Sequence, residues 1–416
     1  MMPQLMFDDP DGTFAMLRES VAAFASRQPG TNALREKRGR GGAVDRAVWS
    51  AMAEAGWTGL LLPEVIGGAG LGNREQAILS EALGQALIAE PVATASVFSG
   101  SLVAEAPNSV ERARLAAGIA RGSIVAIPAW QNAAKPVRSR PVPGGTAGND
   151  SMLCGEKKFV DAARSATDFL VTADSDDGCV LVSVAADAAG LTITDRPGID
   201  GATIAVLSFA DCRIPAGRLL ARAARPADLL DGPVLRTRLA LAAELAGIAS
   251  KALALTIAYT RDRVQFGKPI ASFQAIQHRL VDMWIDAEFA CAAVVNAANT
   301  LDADPNAGAG AQLAVLAAKA RAGDAAFSIC RRAVHLHGAM GFTDECDIGL
   351  YLKRTIALNA TLGQPDELRL KFVELESGFA RGRNNGKQAD QDRDPESHRR
   401  RDNGRAAGQR AVEGLR

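Results

Sequence analysis

The sequence lacks the usual marks of a nucleic-acid-binding, membrane or secreted protein. Its 47 basic residues balance its 47 acidic residues, so no net charge attracts a nucleic acid or an anionic membrane. Two tyrosines and four tryptophans among 416 residues leave few rings on which single-stranded nucleic acid could stack. No apolar run approaches the ~20 residues that cross a bilayer, and the acidic start, Met1 to Pro10, does not have the pattern of a secretory signal. We therefore expect no nucleic-acid partner and no membrane association.

Cysteine is scarce, and the cysteines are scattered along the chain. None of the six forms a CxxC pair, which argues against a disulfide framework and against a zinc site. The sequence therefore predicts a cytoplasmic protein without a metal site. The cysteines are Cys154, Cys179, Cys212, Cys291, Cys330 and Cys346.

The rest of the chain divides into three regions by pattern. Residues 1–118 place apolar side chains such as Val21 and Phe24 at helical spacing, which predicts a helical domain. Residues 119–225 contain short alternating apolar runs punctuated by glycine and proline, a pattern typical of a compact antiparallel β-domain. Residues 226–380 return to long helical segments and predict a four-helix bundle. The predicted fold class is therefore α+β.

The composition changes again after residue 380. Residues 381–416 are rich in charged residues and contain almost no large apolar side chains. Such a segment cannot bury enough surface to offset the entropy of ordering it. We predict a disordered tail.

Three segments, in a fixed order, carry the most specific patterns of the sequence. They are Gly56-Trp57 to Pro63-Glu64 with Gly67-Gly68, then Arg261-Asp-Arg-Val-Gln-Phe-Gly-Lys-Pro-Ile270 followed by Ser272-Phe-Gln-Ala-Ile-Gln-His-Arg-Leu-Val-Asp-Met283, and finally His337-Gly-Ala-Met-Gly-Phe-Thr343. In these residues the chain resembles the acyl-CoA dehydrogenases, over roughly residues 14–380. The resemblance implies FAD as cofactor, an acyl-CoA substrate, an electron-transfer flavoprotein as electron acceptor and more than one subunit.

The second segment holds the first group of cofactor candidates. Arg263 stands where a helix ends before Gly267 and Pro269, and a guanidinium fixed at a turn suits a diphosphate because its planar fork gives two parallel hydrogen bonds. The resemblance implies that Arg263 reaches the FAD pyrophosphate, often across a subunit interface, with Phe266 near the adenosine and Gln274 also on the cofactor. The alternative reading of Arg263 is a helix C-terminal charge that interacts with the helix dipole.

The third segment and the β region hold the second group. The resemblance implies that the loop from His337 to Gly341 approaches the dinucleotide through its backbone, which suits Gly338. Here His335 stands where the family usually has glutamine, and Ala339 stands in place of a glycine. In the β region, Phe159 is expected to cover the flavin ring. The family's flavin-binding segment is expected near residues 127–132, and Lys157 with Lys158 is expected to form a solvated strand edge.

The catalytic base is not where the resemblance places it. The family's usual base is a glutamate, but the matching position here is Leu362, and the alternative family position is Thr237. Neither side chain can take a proton at neutral pH. The remaining candidate is Glu244, a lone carboxylate in an apolar helical run that must be paired or neutralised if buried. It is either the base or a structural ion-pair partner of an arginine such as Arg236 or Arg332.

Three functional hypotheses follow. The first is an FAD-dependent acyl-CoA dehydrogenase that forms a homo-oligomer and passes electrons to an electron-transfer flavoprotein. The second is a non-catalytic partner subunit in a heteromer with another dehydrogenase-like chain, which the missing glutamate favours. The third is a flavin monooxygenase on the same scaffold, which needs no carboxylate base.

Overall fold

The computed structural model describes residues 2–28, 30–39, 42–141, 150–304 and 306–378. The predicted tail, residues 381–416, lies outside the described residues. Within them, helices come first, a β-sheet second and longer helices third. This order confirms the predicted α+β architecture.

The N-terminal region is helical because each helix has one face that can be buried. In α1, Val21 and Phe24 point into the core, as their spacing predicts. At α4, Gly72 N donates to Glu75 Oε2 over 2.8 Å, which satisfies a backbone donor at the start of the helix. A π-helical segment, Val92–Phe98, leads directly into α5. The helices are α1 (Thr13–Ser26), α2 (Thr31–Gly39), α3 (Arg46–Glu54), α4 (Asn73–Ala86), α5 (Ser99–Glu105) and α6 (Val110–Ala120).

The middle region forms one eight-stranded sheet. Its strands are β1 (Ala126–Ala129), β2 (Arg138–Pro141), β3 (Ser151–Asp161), β4 (Asp168–Ser175), β5 (Gly178–Ala185), β6 (Leu191–Pro197), β7 (Thr203–Ile214) and β8 (Leu219–Ala223). They lie in the order β6-β7-β3-β2-β4-β5-β8, with β1 beside β4. The predicted antiparallel pairing is confirmed for five of the seven strand pairs, but β1 and β2 each pair with β4 in parallel. Alternating apolar runs do not reveal strand direction, which the chain connections decide.

The C-terminal region contains the four predicted long helices. They are α7 (Ala227–Asp262), α8 (Gln274–Ala303), α9 (Ala309–Leu336) and α10 (Ile348–Ala360). A tight hairpin of β9 (Val264–Gln265) and β10 (Lys268–Pro269) joins α7 to α8. A further helical segment follows α10 over residues 365–378. Among the described helices, α7 is long and apolar enough to span a membrane by length and composition, but 78% of its most apolar stretch is buried inside the fold.

Helices α4 and α7 cross at two glycines. A Cβ added at Gly84 would overlap the carbonyl oxygen of Glu244, and a Cβ added at Gly247 would overlap that of Glu81. The two backbones can therefore approach only because both positions lack a side chain. This close crossing fixes the position of the middle of α7, and with it the direction of the Glu244 side chain.

Candidate functional site

The first candidate, Glu244, is a buried carboxylate held by an arginine from another helix. Only 8% of Glu244 is exposed. Its Oε1 accepts from Nε of Arg354 on α10 over 2.8 Å, and Nη2 of the same arginine lies 2.8 Å away. The third arginine nitrogen, Nη1, donates to Oδ2 of Asp200 over 2.9 Å. One guanidinium thus joins α7 and α10 to the turn between β6 and β7.

Burial and nearby charges together set the pKa of Glu244. Burial raises the pKa of Glu244, Arg354 opposes that rise, and the nearby carboxylates Asp200 and Asp161 add to it. Asp161, at the end of β3, also accepts from Thr94 Oγ1 of the π-helical segment over 2.8 Å. Glu244 therefore holds a proton more readily than an ordinary carboxyl group, chiefly because it is buried.

The ion-pair alternative for Glu244 is correct about the kind of partner and wrong about which arginine it is. Arg236 pairs with Glu105, and Nη1 of Arg332 lies 3.8 Å from Asp286. The arginine that pairs with Glu244 is instead Arg354. It stands 110 positions away in sequence, so helical spacing on α7 could not identify it.

The two positions where the family's base is expected hold side chains that cannot act as a base. Thr237 is buried, and its hydroxyl donates to the Pro233 carbonyl one turn earlier on α7 over 2.7 Å. Leu362 is buried after α10, and its carbonyl accepts from Nε of Arg238 over 2.9 Å. At the position where other family members are expected to have a glutamate, the backbone of the loop after α10 is therefore bound by the Arg238 guanidinium.

Phe159 lies on β3 close to the segment where flavin binding is expected. The pairing of β3 with β7 is interrupted between Lys157 and Val160, and Phe159 has a φ of 56°. This irregularity turns the ring out of the sheet, where 64% of the residue is exposed. Lys158 N donates to the Gln131 carbonyl over 2.9 Å. Phe159 and residues 127–132 are therefore neighbours.

Lys157 is not on a solvated strand edge, so that prediction is wrong. The residue is 1% exposed, and its ammonium lies inside the sheet. Strand β3 has β7 on one side and β2 on the other, which makes it a central strand. Two adjacent lysines looked like an exposed edge because sequence alone does not give a strand's place in the sheet.

The second group of candidates lies at the far end of the bundle. Arg263 ends α7 and lies before the β9–β10 hairpin. Its backbone N–H donates to the Tyr259 carbonyl over 2.8 Å, and its carbonyl accepts from Ile270 N over 2.8 Å. Its side chain is exposed, and among the described residues no carboxylate lies within ion-pair distance of it. Phe266 is 93% exposed at the hairpin tip, and Gln274 is exposed at the first turn of α8.

The loop after α9 lies at the same end of the bundle. The rings of Tyr259, in the last turn of α7, and His337, after α9, are stacked with centroids 4.2 Å apart. Burial lowers the pKa of His337, whose Nδ1 lies 2.8 Å from the Ala333 carbonyl. His335, Gly338 and Ala339 are exposed beside this stack. His337 is part of a motif that can be recognised in the sequence, but nothing in the sequence indicated that Tyr259 would contact it.

These two groups of candidates are far apart on one chain. Glu244 and Arg263 are separated by nineteen positions of α7, which at the rise of an α-helix is about 28 Å. Asp161, which follows Phe159 by two positions on β3, lies close enough to Glu244 for its charge to raise the pKa of Glu244. Arg263, Phe266, Gln274, His335, Gly338 and Ala339 all belong to the other end.

The residues at the bundle end have the chemistry that a dinucleotide requires. Arg263 offers a planar fork of donors, Gln274 offers an amide at the start of a helix, and both are exposed. Gly338 has a φ of 62° with open space where a side chain would stand, so a ligand can approach its backbone. The exposed ring of Phe159 at the other end can cover a flat heterocycle. Both sets therefore fit FAD.

A cavity of about 800 Å³ lies away from these residues. Helices α1 to α4 wall it, and Lys251 and Leu255 of α7 and Tyr351 of α10 line its other side. None of the predicted site residues lines it. It is therefore separate from both groups of candidates.

The helical–β–helical fold, together with residues that fit FAD, is that of the flavin-dependent dehydrogenases. The chain belongs to the acyl-CoA dehydrogenase family. It matches that family's N-terminal domain over residues 13–123 and its C-terminal domain over residues 231–371.

Individual relatives agree with this assignment. The probable acyl-CoA dehydrogenase YngJ of Bacillus subtilis is 30% identical over 357 residues, which cover 81% of this chain and 91% of YngJ. The acyl-CoA dehydrogenase IpdE2 of Mycobacterium tuberculosis is 29% identical over 363 residues, or 87% of this chain and 96% of IpdE2. The solved structure of the Tcur3481-Tcur3483 steroid ACAD G363A variant is 28% identical, has a TM-score of 0.77, and is matched over 88% of this chain and 98% of its own.

Lys319 on α9 is a second buried cation near the site. It is fully buried, and its Nζ donates to the Leu358 carbonyl near the end of α10 over 3.0 Å. Burial and the nearby charge of Arg238 lower the pKa of Lys319 to about 7, against the opposing charge of Glu244. The lysine holds the end of α10 in place at the cost of burying a cation.

We predict that Lys319 makes stability depend on pH. The folded state loses this proton near pH 7, whereas an unfolded lysine keeps it until about pH 10.4. The unfolded state binds more protons between these values, so Lys319 should add about 2 kcal/mol to the rise of the free energy of unfolding from pH 7 to pH 9, and Lys157, whose pKa is about 8, adds a smaller part. Urea denaturation across this range should show the rise in the wild type and lose most of it in Lys319→Met. The exposed Lys251→Met is the matched control and should keep it; an unchanged pH slope in Lys319→Met would contradict the prediction.

Proposed function

We propose that the chain is an FAD-dependent dehydrogenase that removes the α-proton and the β-hydride from an acyl-CoA thioester, with Glu244 taking the α-proton. Bound FAD supplies the two-electron acceptor for the hydride. The observation that carries the proposal is the buried Glu244, whose pKa is raised and which lies within electrostatic reach of Asp161 on β3. A base with a raised pKa is better matched to the weakly acidic α-proton of a thioester.

The surroundings of Glu244 support a role in proton transfer. Arg354 fixes the carboxylate with two nitrogens on one oxygen, so Oε1 is oriented. Asp200 takes the third nitrogen of the same guanidinium and draws part of its charge away from Glu244. Close burial against α4 at Gly84 keeps bulk water away from this part of α7. A proton taken up here is held in a buried setting next to a fixed guanidinium.

The distance between the two groups supports an oligomer. We propose that Phe159 and residues 127–132 cover the flavin ring in one subunit, while Arg263, Phe266 and Gln274 hold the diphosphate end of a neighbour's FAD. Along α8, between these ends, Val281, Trp284, Ile285 and Phe289 are between 40% and 61% exposed at helical spacing. A second chain of this family that covers this face would bring its own bundle end to the flavin site.

A non-catalytic partner subunit is the second candidate. It is favoured by the ion pair itself, since a carboxylate bound to Arg354 is stabilised in its charged form and is a weaker base. Leucine and threonine at the family's usual base positions point the same way. The relative named Tcur3481-Tcur3483 steroid ACAD has two designations in its name, which supports an assembly of two different chains.

Anaerobic titration separates these candidates. The chain is purified alone with FAD and mixed with straight-chain, branched and ring-bearing acyl-CoA thioesters, the last because of the steroid relative. Bleaching of the flavin absorbance by any of them is the expected result and contradicts the partner-subunit reading. No bleaching by the chain alone, followed by bleaching once a co-purified dehydrogenase-like chain is added, supports the heteromer instead.

The electron acceptor is tested on the same preparation. We expect an added electron-transfer flavoprotein to restore the flavin absorbance after acyl-CoA has bleached it. A dye that accepts electrons non-specifically serves as the positive control. Oxygen insertion into a substrate driven by externally reduced flavin would contradict the dehydrogenase and support a monooxygenase.

A further inference from the structure

Lys157 is a buried cation whose contacts are all with neutral groups. Its Nζ donates to the Trp130 carbonyl over 3.1 Å, to Oδ1 of Asn132 over 2.6 Å and to Oγ1 of Thr172 over 3.1 Å. All three ammonium donors are therefore used. Within the part of the chain that the structure describes, no carboxylate contacts this ammonium, although Asp174 on β4 acts on its charge from farther away.

These contacts hold one short segment against β3. Backbone bonds already join the two, since Lys158 N donates to the Gln131 carbonyl over 2.9 Å and Ala133 N donates to the Glu156 carbonyl over 3.0 Å. The Lys157 side chain adds a second layer of bonds to residues 130 and 132 from inside the sheet. Phe159, with its exposed ring, follows two positions later on the same strand.

A buried cation without a contacting anion is costly to keep. Neutral acceptors satisfy its hydrogen bonds but leave its charge, and desolvation lowers the pKa of Lys157 to about 8. At neutral pH the amine therefore remains mostly protonated. In a low-dielectric interior its field extends to neighbouring groups with little screening. Such a charge is useful where negative charge appears nearby during a reaction.

We propose that Lys157 is a positioning residue that presents residues 130–132 to the flavin ring and makes the bound flavin easier to reduce through its positive charge. The proposal rests on the proposed function, because it requires FAD at Phe159 and residues 127–132. Reduction adds electron density to the ring, and a nearby fixed cation stabilises that added charge. The exposed neighbour Lys158 has its Nζ 5.1 Å from the Phe159 ring centre, on the solvent side, so solvent screens its charge.

The test is the midpoint potential of the bound flavin, measured by equilibration with a reference dye. Lys157→Met removes the charge and the hydrogen bonds, Lys157→Gln keeps polar contacts without the charge, and Lys157→Arg keeps the charge. We expect the equilibrium constant for flavin reduction to fall about tenfold or more in the Met and Gln variants and to stay near the wild-type value in the Arg variant. Lys251→Met, which removes an exposed positive charge from α7, is the control and should leave the constant unchanged.

Each outcome decides between positioning and a purely structural role. Met or Gln variants that keep their FAD and the wild-type constant overturn the proposal. If neither neutral variant folds while the Arg variant does, Lys157 serves folding, and the proposal is withdrawn. A wild-type chain that binds no FAD, alone or with a partner chain, overturns the proposed function as well. If acyl-CoA reduces the wild-type flavin but the Met and Gln variants keep the wild-type equilibrium constant for flavin reduction, only the role of Lys157 is overturned.

Discussion

Glu244→Gln is expected to slow flavin reduction by an acyl-CoA about 10²- to 10⁴-fold, the usual contribution of a positioned general base. Glutamine has nearly the same shape and can still accept from Arg354, but it cannot take the α-proton. The FAD content should stay close to the wild type, while the thermal stability should fall because one partner of a buried ion pair is neutralised. Stopped-flow measurement of flavin bleaching under anaerobic conditions checks the rate.

A matched control is available on the neighbouring helix. Glu81 on α4 is fully buried, pairs with Arg18 at 3.0 Å, and burial raises its pKa, as it does for Glu244. Glu81→Gln should therefore reproduce any general effect of neutralising a buried ion pair while leaving the reduction rate intact. Equal rates in Glu244→Gln and the wild type eliminate Glu244 as the base and leave the partner-subunit reading.

Arg263→Gln is expected to weaken FAD binding about 10- to 100-fold, because a charge-assisted hydrogen bond to phosphate contributes about 1.5–3 kcal/mol. Fluorescence titration of the apoprotein with FAD gives the affinity. Arg261→Gln is the control, since Arg261 is exposed two positions earlier in the last turn of the same helix. Equal FAD affinity of Arg263→Gln and Arg261→Gln would support the helix-dipole reading of Arg263.

Mixing variants tests whether the two site ends come from different subunits. If the chain forms a homo-oligomer with sites shared between subunits, co-expressed Glu244→Gln and Arg263→Gln chains should recover activity that neither has alone. One mixed site then combines an intact base with an intact diphosphate end. Failure to recover activity, with both chains present in one assembly, indicates that each site belongs to a single subunit.

The order of the regions and the identity of the motifs follow from the sequence alone. Apolar spacing such as that of Val21 and Phe24 predicts helices because a helix buries one face. The segment around Arg263 could be recognised through its resemblance to the acyl-CoA dehydrogenases, while its local pattern alone, a helix that ends before Gly267 and Pro269, leaves the helix-dipole interpretation open. Glu244 stood out because a lone carboxylate in an apolar run needs an explanation. These are local properties of the chain.

Partners distant in sequence could only come from the tertiary structure. Arg354, and not Arg236 or Arg332, pairs with Glu244 because the packing of α10 on α7 decides which guanidinium arrives there. Lys157 is buried because β3 has neighbours on both sides, and the parallel pairing of β1 and β2 with β4 depends on how the chain returns to the sheet. Local pattern determines which face of an element is apolar. Which charges meet across elements depends on tertiary packing, which brings together residues such as Glu244 and Arg354 that lie 110 positions apart.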